Sequence, residues 1–333
     1  MSETTLDNLI SSYMKTLQHY YTFGWQGGEP TLIGLEFFKK VIELQKKHGK
    51  GGSLVTNGLQ TNATLIDEDF AKHLSEYKFL LGVSIDGPQY IHDHYRKFSS
   101  GQGTFKRVIR SIEMLRSNNV EFNILVLVNN FNVEKAKELY RFLVDNSFYF
   151  HQYIPCVEFD SQGNLQPFSI RGEQWGNFLI ELFDQWYPQD IYKVSIRLFD
   201  SILNYQLYRK PTICHMENNC NQYMVVEYNG DVYPCDFFVR EDLKLGNINE
   251  NSWEELLDSL IYLNFGKVKS NYSFICNSCP YLNYCYGDCP KYRVFNTNGL
   301  QKLSNLCSGW KMFYKRNLKI FKKIADYFKY NNI

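Results

Sequence analysis

Eight cysteines crowd the last 120 residues of the chain, and their spacing constrains the fold more than any other feature. They read Cys214-x5-Cys220-x14-Cys235, then Cys276-x2-Cys279-x5-Cys285-x3-Cys289-x17-Cys307. Thiolates bind soft metals, and a Cys-x2-Cys spacing lets two sulfurs reach one metal centre. Eight thiolates suffice for two four-cysteine sites. Structural zinc uses the same ligands, and a disulfide framework is a further alternative. The dense run Cys-x2-Cys-x5-Cys-x3-Cys is closest to ferredoxin runs, in which the last cysteine serves the other cluster. Iron–sulfur clusters are therefore the leading reading. Cys156 stands apart at the end of an apolar run and reads as a buried structural thiol.

Composition narrows the class. The chain has 333 residues, enough for roughly two domains. With 44% hydrophobic and 21% charged residues it reads as soluble and globular. A net charge of +1 argues against a general nucleic-acid or membrane-surface binder. The first twenty residues lack the apolar stretch of a signal peptide, and no run approaches the ~18 apolar residues of a membrane span. The expected location is the cytoplasm, where cysteines point to metal or catalysis rather than disulfides.

The first 155 residues repeat one pattern. Apolar, β-branched or aromatic runs at 21–25, 53–56, 79–85, 122–128 and 150–154 alternate with amphipathic stretches at 35–48, 104–117 and 133–146. Such alternation predicts βαβ units and a parallel sheet. The runs are followed by Gln26-Gly27-Gly28-Glu29-Pro30, Asn57-Gly58, Asp86-Gly87 and Asn129-Asn130. In βα barrels the active site sits at the C-terminal strand ends. Glycine and asparagine make turns anywhere, but four polar strand ends together favour a site. A helix-like stretch at 6–17 precedes the first strand, which suggests that a leading strand is missing. Further on, 172–187 reads as a helix and 194–199 as a strand. Short strands at 224–228 and 231–233 flank the hairpin turn Asn229-Gly230. Helices follow at 254–263 and 308–330. His92 and His94 read as turn residues rather than metal ligands.

Several ordered motifs then point to a family. They are Gln26-Gly27-Gly28-Glu29-Pro30-Thr31-Leu32, Leu59-Gln60-Thr61-Asn62, Ser84-Ile85-Asp86-Gly87-Pro88 with Arg96, Val120-Glu121-Phe122-Asn123, Tyr233-Pro234-Cys235-Asp236-Phe237 and the eight-cysteine pattern. Together they resemble the anaerobic sulfatase-maturating enzymes, which are radical S-adenosylmethionine (SAM) enzymes with a SPASM domain. The resemblance implies an α/β chain. A partial (β/α)6 radical-SAM barrel over 1–208 lacks its first strand. A SPASM domain with two auxiliary [4Fe–4S] clusters spans 209–310, and a C-terminal helix spans 311–333. The implied activity is oxidation of a sulfatase cysteine or serine to formylglycine.

The resemblance also implies residue roles. Gly27, Gly28 and Glu29 match the turn that holds the SAM amino group, where backbone carbonyls suit an ammonium. Ser84 and Arg96 match SAM contacts, and Arg96 can grip the SAM carboxylate with two hydrogen bonds. Val157 matches an aliphatic position against the cofactor. Gln26 matches a substrate-pocket residue and Asp236 the general base. A carboxylate beside an anionic cluster and partly withdrawn from water is a stronger base than one in solvent. Cys289 joins Cys214, Cys220 and Cys235 at one cluster. Cys276, Cys279, Cys285 and Cys307 hold the other. The implied partners are a sulfatase polypeptide and a ferredoxin or flavodoxin, with a monomer as the working form.

One departure matters. The family's Cys-x3-Cys-x2-Cys loop, which ligates the SAM-cleaving cluster, has no counterpart here, because no cysteine precedes Cys156. The expectation is an N-terminally truncated chain that is inactive alone. Two alternatives stay open: a non-catalytic two-cluster protein that binds peptide or carries electrons, and another peptide-modifying SPASM radical enzyme.

Overall fold

The computed structural model describes residues 1–16, 18–293 and 303–331. Strands β1 (Tyr20–Trp25), β2 (Leu54–Thr61), β3 (Leu80–Ser84), β4 (Phe122–Val128), β5 (Phe150–Pro155) and β6 (Ser195–Ile196) are hydrogen-bonded in chain order. β1 pairs in parallel with β2 from Tyr20↔Leu54 to Trp25↔Leu59. β4 pairs likewise with β5 from Ile124↔His151 to Val128↔Pro155. A parallel sheet whose strands follow chain order winds like a βα barrel, whereas a doubly wound sheet reverses its order. No helix among the described residues is long and apolar enough to cross a membrane.

The chain divides into two compact units. The first gathers Met1–Val83, Lys106–Phe122 and Cys220–Lys267. Its helix Glu3–Lys15 is capped by Ser2, whose side chain accepts from Thr5 N. Leu6, Ile10 and Met14, one turn apart on one stripe, pack with Tyr21, Phe23, Val41 and Leu44. Leu9, on another side of the same helix, packs with Val232, Ile248 and Leu256. Val232 belongs to a small antiparallel sheet of β7 (Val225–Val226), β8 (Asp231–Tyr233) and β9 (Gly246–Asn247). The helix expected at 6–17 is this one; Leu17 lies outside the described residues.

The second unit holds Ser84–Phe105, Asn123–Asn219 and the chain from Val268 onward. Its core is aromatic. Helix Gly172–Trp186 contributes Trp175, Phe178, Phe183 and Trp186. Helix Cys307–Asn331 contributes Trp310, Phe313 and Phe321. The two cross with almost no space between backbones. A Cβ on Gly176 would stand 2.7 Å from Gly309 Cα, and one on Gly309 would strike the Gly172 carbonyl.

Several sequence expectations need correction. Asn57-Gly58 does not end a strand but lies inside β2, which runs on to Thr61. Asn57 is buried there because Gln45 satisfies its amide in both directions, at 2.9 and 3.0 Å, and Trp25 Nε1 donates to its Oδ1 at 2.9 Å. The strand expected at 194–199 stops after Ile196, and helix Arg197–Tyr208 begins at once. The stretch 254–263 splits into helices Trp253–Leu257 and Leu260–Val268, the first closed by a Ser252–Glu255 capping box.

The glycine crossing gives a direct prediction. Gly309→Ala should destabilise the protein by about 1–3 kcal/mol through overpacking. An unchanged urea midpoint would show that the helices have room to part.

Candidate active site and cluster sites

In the first unit, β1 runs into the turn Gln26-Gly27-Gly28-Glu29. Gly27 has φ +141°, a conformation that side chains resist, and open space lies where a Cβ would point from either Gly27 or Gly28. The Glu29 carboxylate fixes this turn. Its Oε1 accepts from Thr31 N (3.1 Å), Thr31 Oγ1 (2.6 Å) and Thr61 Oγ1 (2.6 Å), and its Oε2 accepts from Asn62 N (2.7 Å). The end of β1 is thereby strapped to the end of β2. With the side chain so engaged, the backbone carbonyls of the turn are what a ligand ammonium can meet.

The same unit brings Gln26 to Asp236. Gln26 Nε2 donates to Asp236 Oδ2 at 3.3 Å, and Tyr223 OH donates to Oδ1 at 2.7 Å. Cys235 Sγ lies 3.3 Å from Oδ1 and 3.6 Å from the Tyr223 hydroxyl. Burial pushes the Cys235 thiol up to about 12. Burial, with Cys235 and Asp236 beside it, also holds the Tyr223 phenol far above its ordinary range, so it remains a donor. Asp236 is exposed rather than partly buried as expected. It opens a 3-10 turn, Asp236–Phe238, that leaves its carboxylate accessible.

In the second unit, Ser84 ends β3 and Arg96 follows helix Gln89–Tyr95. The Arg96 Nε–Nη2 edge grips Asp86, at 2.6 and 3.2 Å. Asp86 is 2% exposed and also accepts from Leu127 N at 2.9 Å. The grip on Asp86 uses Arg96 Nε and Nη2 and does not involve Nη1. Buried His92 accepts from Asp86 N and meets Thr104 Oγ1, which donates to the Arg96 carbonyl. Burial drops His92 to about 4, so it is a neutral bridge in this turn. Val157 is buried after β5, and burial raises the Cys156 thiol to about 11, as suits a structural cysteine.

Cys276, Cys279, Cys285 and Cys307 line one cavity of the second unit, with Asp288, Trp310 and Tyr314. Among the described residues, no three His, Cys, Asp or Glu side chains converge on a single-ion site. Thiols spread around a cavity suit a multi-iron cluster better than one tetrahedral zinc. None of the nine cysteines is in a disulfide. Of the other four, Cys214 and Cys289 belong to the second unit and Cys220 and Cys235 to the first. His215 Nε2, beside Cys214, is buried without a hydrogen-bond partner. A cluster sulfide could satisfy such an atom.

Comparison with known proteins bears on these sites. Residues 9–143 match the Radical SAM superfamily, and residues 214–280 match SPASM, an iron–sulfur cluster-binding domain. The serine-type anaerobic sulfatase-maturating enzyme of Bacteroides thetaiotaomicron is 37% identical over 95% of this chain and 80% of its own length. A cysteine-type enzyme of Clostridium perfringens is 37% identical over 95% and 86%. The chain belongs to the anaerobic sulfatase-maturating enzymes. The solved structure of native anSMEcpe with bound AdoMet and Cp18Cys peptide superposes with a TM-score of 0.94 at 36% identity, over 100% of this chain and 92% of that one. Streptococcus suis SuiB, at 15% identity and a TM-score of 0.63, shares the fold alone. As a radical SAM and SPASM protein, this maturase relative is an enzyme that uses [4Fe–4S] clusters and SAM.

Sequence reasoning named Glu29, Arg96 and Asp236 but missed Thr61, Asp86 and Tyr223 as their respective supports. Asp86 stood in the sequence only as part of the polar strand end Asp86-Gly87. Its clue was an arginine ten residues on that needs a buried counter-charge. Tyr223 gave no signal among 25 tyrosines.

Two outcomes follow for this maturase relative. Glu29→Gln should weaken SAM binding measured by calorimetry about tenfold while leaving iron content unchanged, because one strut of the turn loses its charge. Equal affinity would free the turn from its strap. Anaerobically purified protein should contain acid-labile sulfide in proportion to iron, and reconstitution should fall off at low pH because each thiol must lose its proton. Zinc without sulfide would restore the zinc reading.

Proposed function

We propose that this chain is an anaerobic sulfatase maturase, oxidising a cysteine or serine of a sulfatase polypeptide to formylglycine. The carrying observation is the Gln26–Asp236 contact at 3.3 Å. It sets a carboxylate that follows a cluster cysteine against the residue preceding the glycine turn.

In this reading Gly27, Gly28 and Glu29 offer carbonyls to the SAM ammonium. Ser84 and Arg96 contact SAM, Arg96 taking the carboxylate, and Val157 packs against the cofactor. Gln26 lines the substrate pocket. Cys214, Cys220, Cys235 and Cys289 hold one auxiliary [4Fe–4S] cluster, and Cys276, Cys279, Cys285 and Cys307 the other. Bound SAM with a reduced [4Fe–4S] cluster would supply one-electron chemistry able to remove a Cβ hydrogen, and an auxiliary cluster would accept the second electron of the oxidation. Residues 1–155 contain no cysteine to ligate the SAM-binding cluster. Asp236 takes the proton of the substrate thiol or hydroxyl, while Gln26 and Tyr223 keep its carboxylate aimed. The proposed domain limits are 1–208, 209–310 and 311–333. The proposed partners are a sulfatase and a reduced ferredoxin or flavodoxin, and the working form is a cytoplasmic monomer. Serine-type and cysteine-type relatives match at the same 37% identity, so either substrate residue fits.

The test is expression from the native locus, without oxygen, beside a sulfatase reporter whose peptide is read by mass spectrometry. Wild type should yield the aldehyde. Asp236→Asn should lower that yield at least about 100-fold while keeping iron, sulfide and SAM binding. Full yield in the variant would remove Asp236 from the mechanism. No aldehyde from wild type with both clusters loaded would favour the two-cluster binding or electron-transfer protein instead.

A further inference from the structure

A lysine and an arginine are buried in the second unit where no substrate or SAM role is assigned to them. Lys269 is 0% exposed and Arg293 3%. Both serve the loop Cys285-Tyr286-Gly287-Asp288-Cys289, which carries one proposed ligand of each auxiliary cluster. Lys269 Nζ donates to the carbonyls of Cys285 (3.1 Å), Asp288 (2.7 Å) and His215 (2.8 Å). Arg293 donates to the carbonyls of Tyr286 (3.0 Å), Gly287 (3.0 Å) and Asp288 (3.0 Å). The loop needs such clamps. Tyr286 and Asp288 stand at φ +43° and +69°, left-handed conformations that are costly outside glycine.

Neutral donors could satisfy carbonyls. Burying two cations for that purpose alone is expensive, and the expense falls when an anion lies close by. Cys285, held by Lys269 through its carbonyl, lines the cavity shared with Cys276, Cys279 and Cys307. A four-thiolate cluster there is anionic, and each added electron makes it more so. Among the described residues, the charged side chains lining that cavity are Lys311 and buried Asp288. The Asp288 carboxylate accepts from Cys289 N, Ser304 Oγ and Trp310 Nε1.

We infer that Lys269 and Arg293 are positioning residues that clamp the Cys285–Cys289 loop and stabilise the reduced state of the cluster held by Cys276, Cys279, Cys285 and Cys307. The inference rests on that ligand set. The redox step is simple: one electron enters the cluster from dithionite, and no bond forms or breaks.

The experiment is an anaerobic redox titration of the full chain, followed by electron paramagnetic resonance, with iron and sulfide counted in every sample. Lys269→Met should lower the reduced fraction of one of the two clusters about tenfold at fixed potential, a shift of about 59 mV for one electron. Asp288→Asn, which keeps shape and removes the opposing charge, should move the same signal the other way. A merely structural role would not give opposite signs. If Lys269→Met fails to fold, the direction seen in Asp288→Asn decides alone. Wild-type potentials in both variants, or shifts of the same sign, would overturn the inference. Sulfide-free wild-type protein would overturn the ligand set beneath it.

Discussion

A segment that must turn thiols inward cannot also run in regular ladders, so its backbone groups need partners from elsewhere. Much of the rest of the second unit answers that constraint. Between Phe274 and Tyr292 the chain makes only single helical turns. The carbonyls it leaves over are met by Lys269 and Arg293, and the Cys289 amide is met by Asp288. Asp288 in turn anchors Ser304 and Trp310, three residues either side of Cys307. The Gly176–Gly309 crossing then fixes the helix that Cys307 begins. Ligand placement, buried charge and helix packing form one continuous chain of dependence.

The glycine turn and the β3 end obey similar logic with the sign reversed. At both places a carboxylate ties together polar groups that would otherwise compete for solvent. Glu29 gathers a backbone amide and two hydroxyls besides the Asn62 amide. Asp86 holds Arg96 and the Leu127 amide. Each strut ties a loop to neighbouring strand ends, so the loop gains the stiffness of the strands beneath it.

The architecture was largely legible because its signals are periodic. Strand runs separated by one-faced helices gave the parallel order, and the family resemblance supplied the proposed ligand sets, one of which lines a single cavity. What escaped reading depended on distant partners. Asn57 looked like a turn residue because nothing local reveals that Gln45 and Trp25 will satisfy it inside β2. Helix Arg197–Tyr208 was hidden behind a strand-like start. The exposure of Asp236 follows from the 3-10 turn after Cys235, which no hydrophobic pattern encodes. Tyr223 and Asp288 became visible only when three-dimensional neighbours supplied their meaning.

Helix Glu3–Lys15 shows two apolar faces, one against β1 and one against the β7–β9 sheet. The second face is made from residues 232, 248 and 256, which leave the ribosome more than two hundred positions after the helix. During synthesis, Leu9 and its neighbours must therefore wait with an apolar surface uncovered. Contacts of such long sequence separation are formed late and slowly. A helix made well before its partners is among the last parts to be finished, and its apolar face is open to wrong contacts until residues 232–256 emerge.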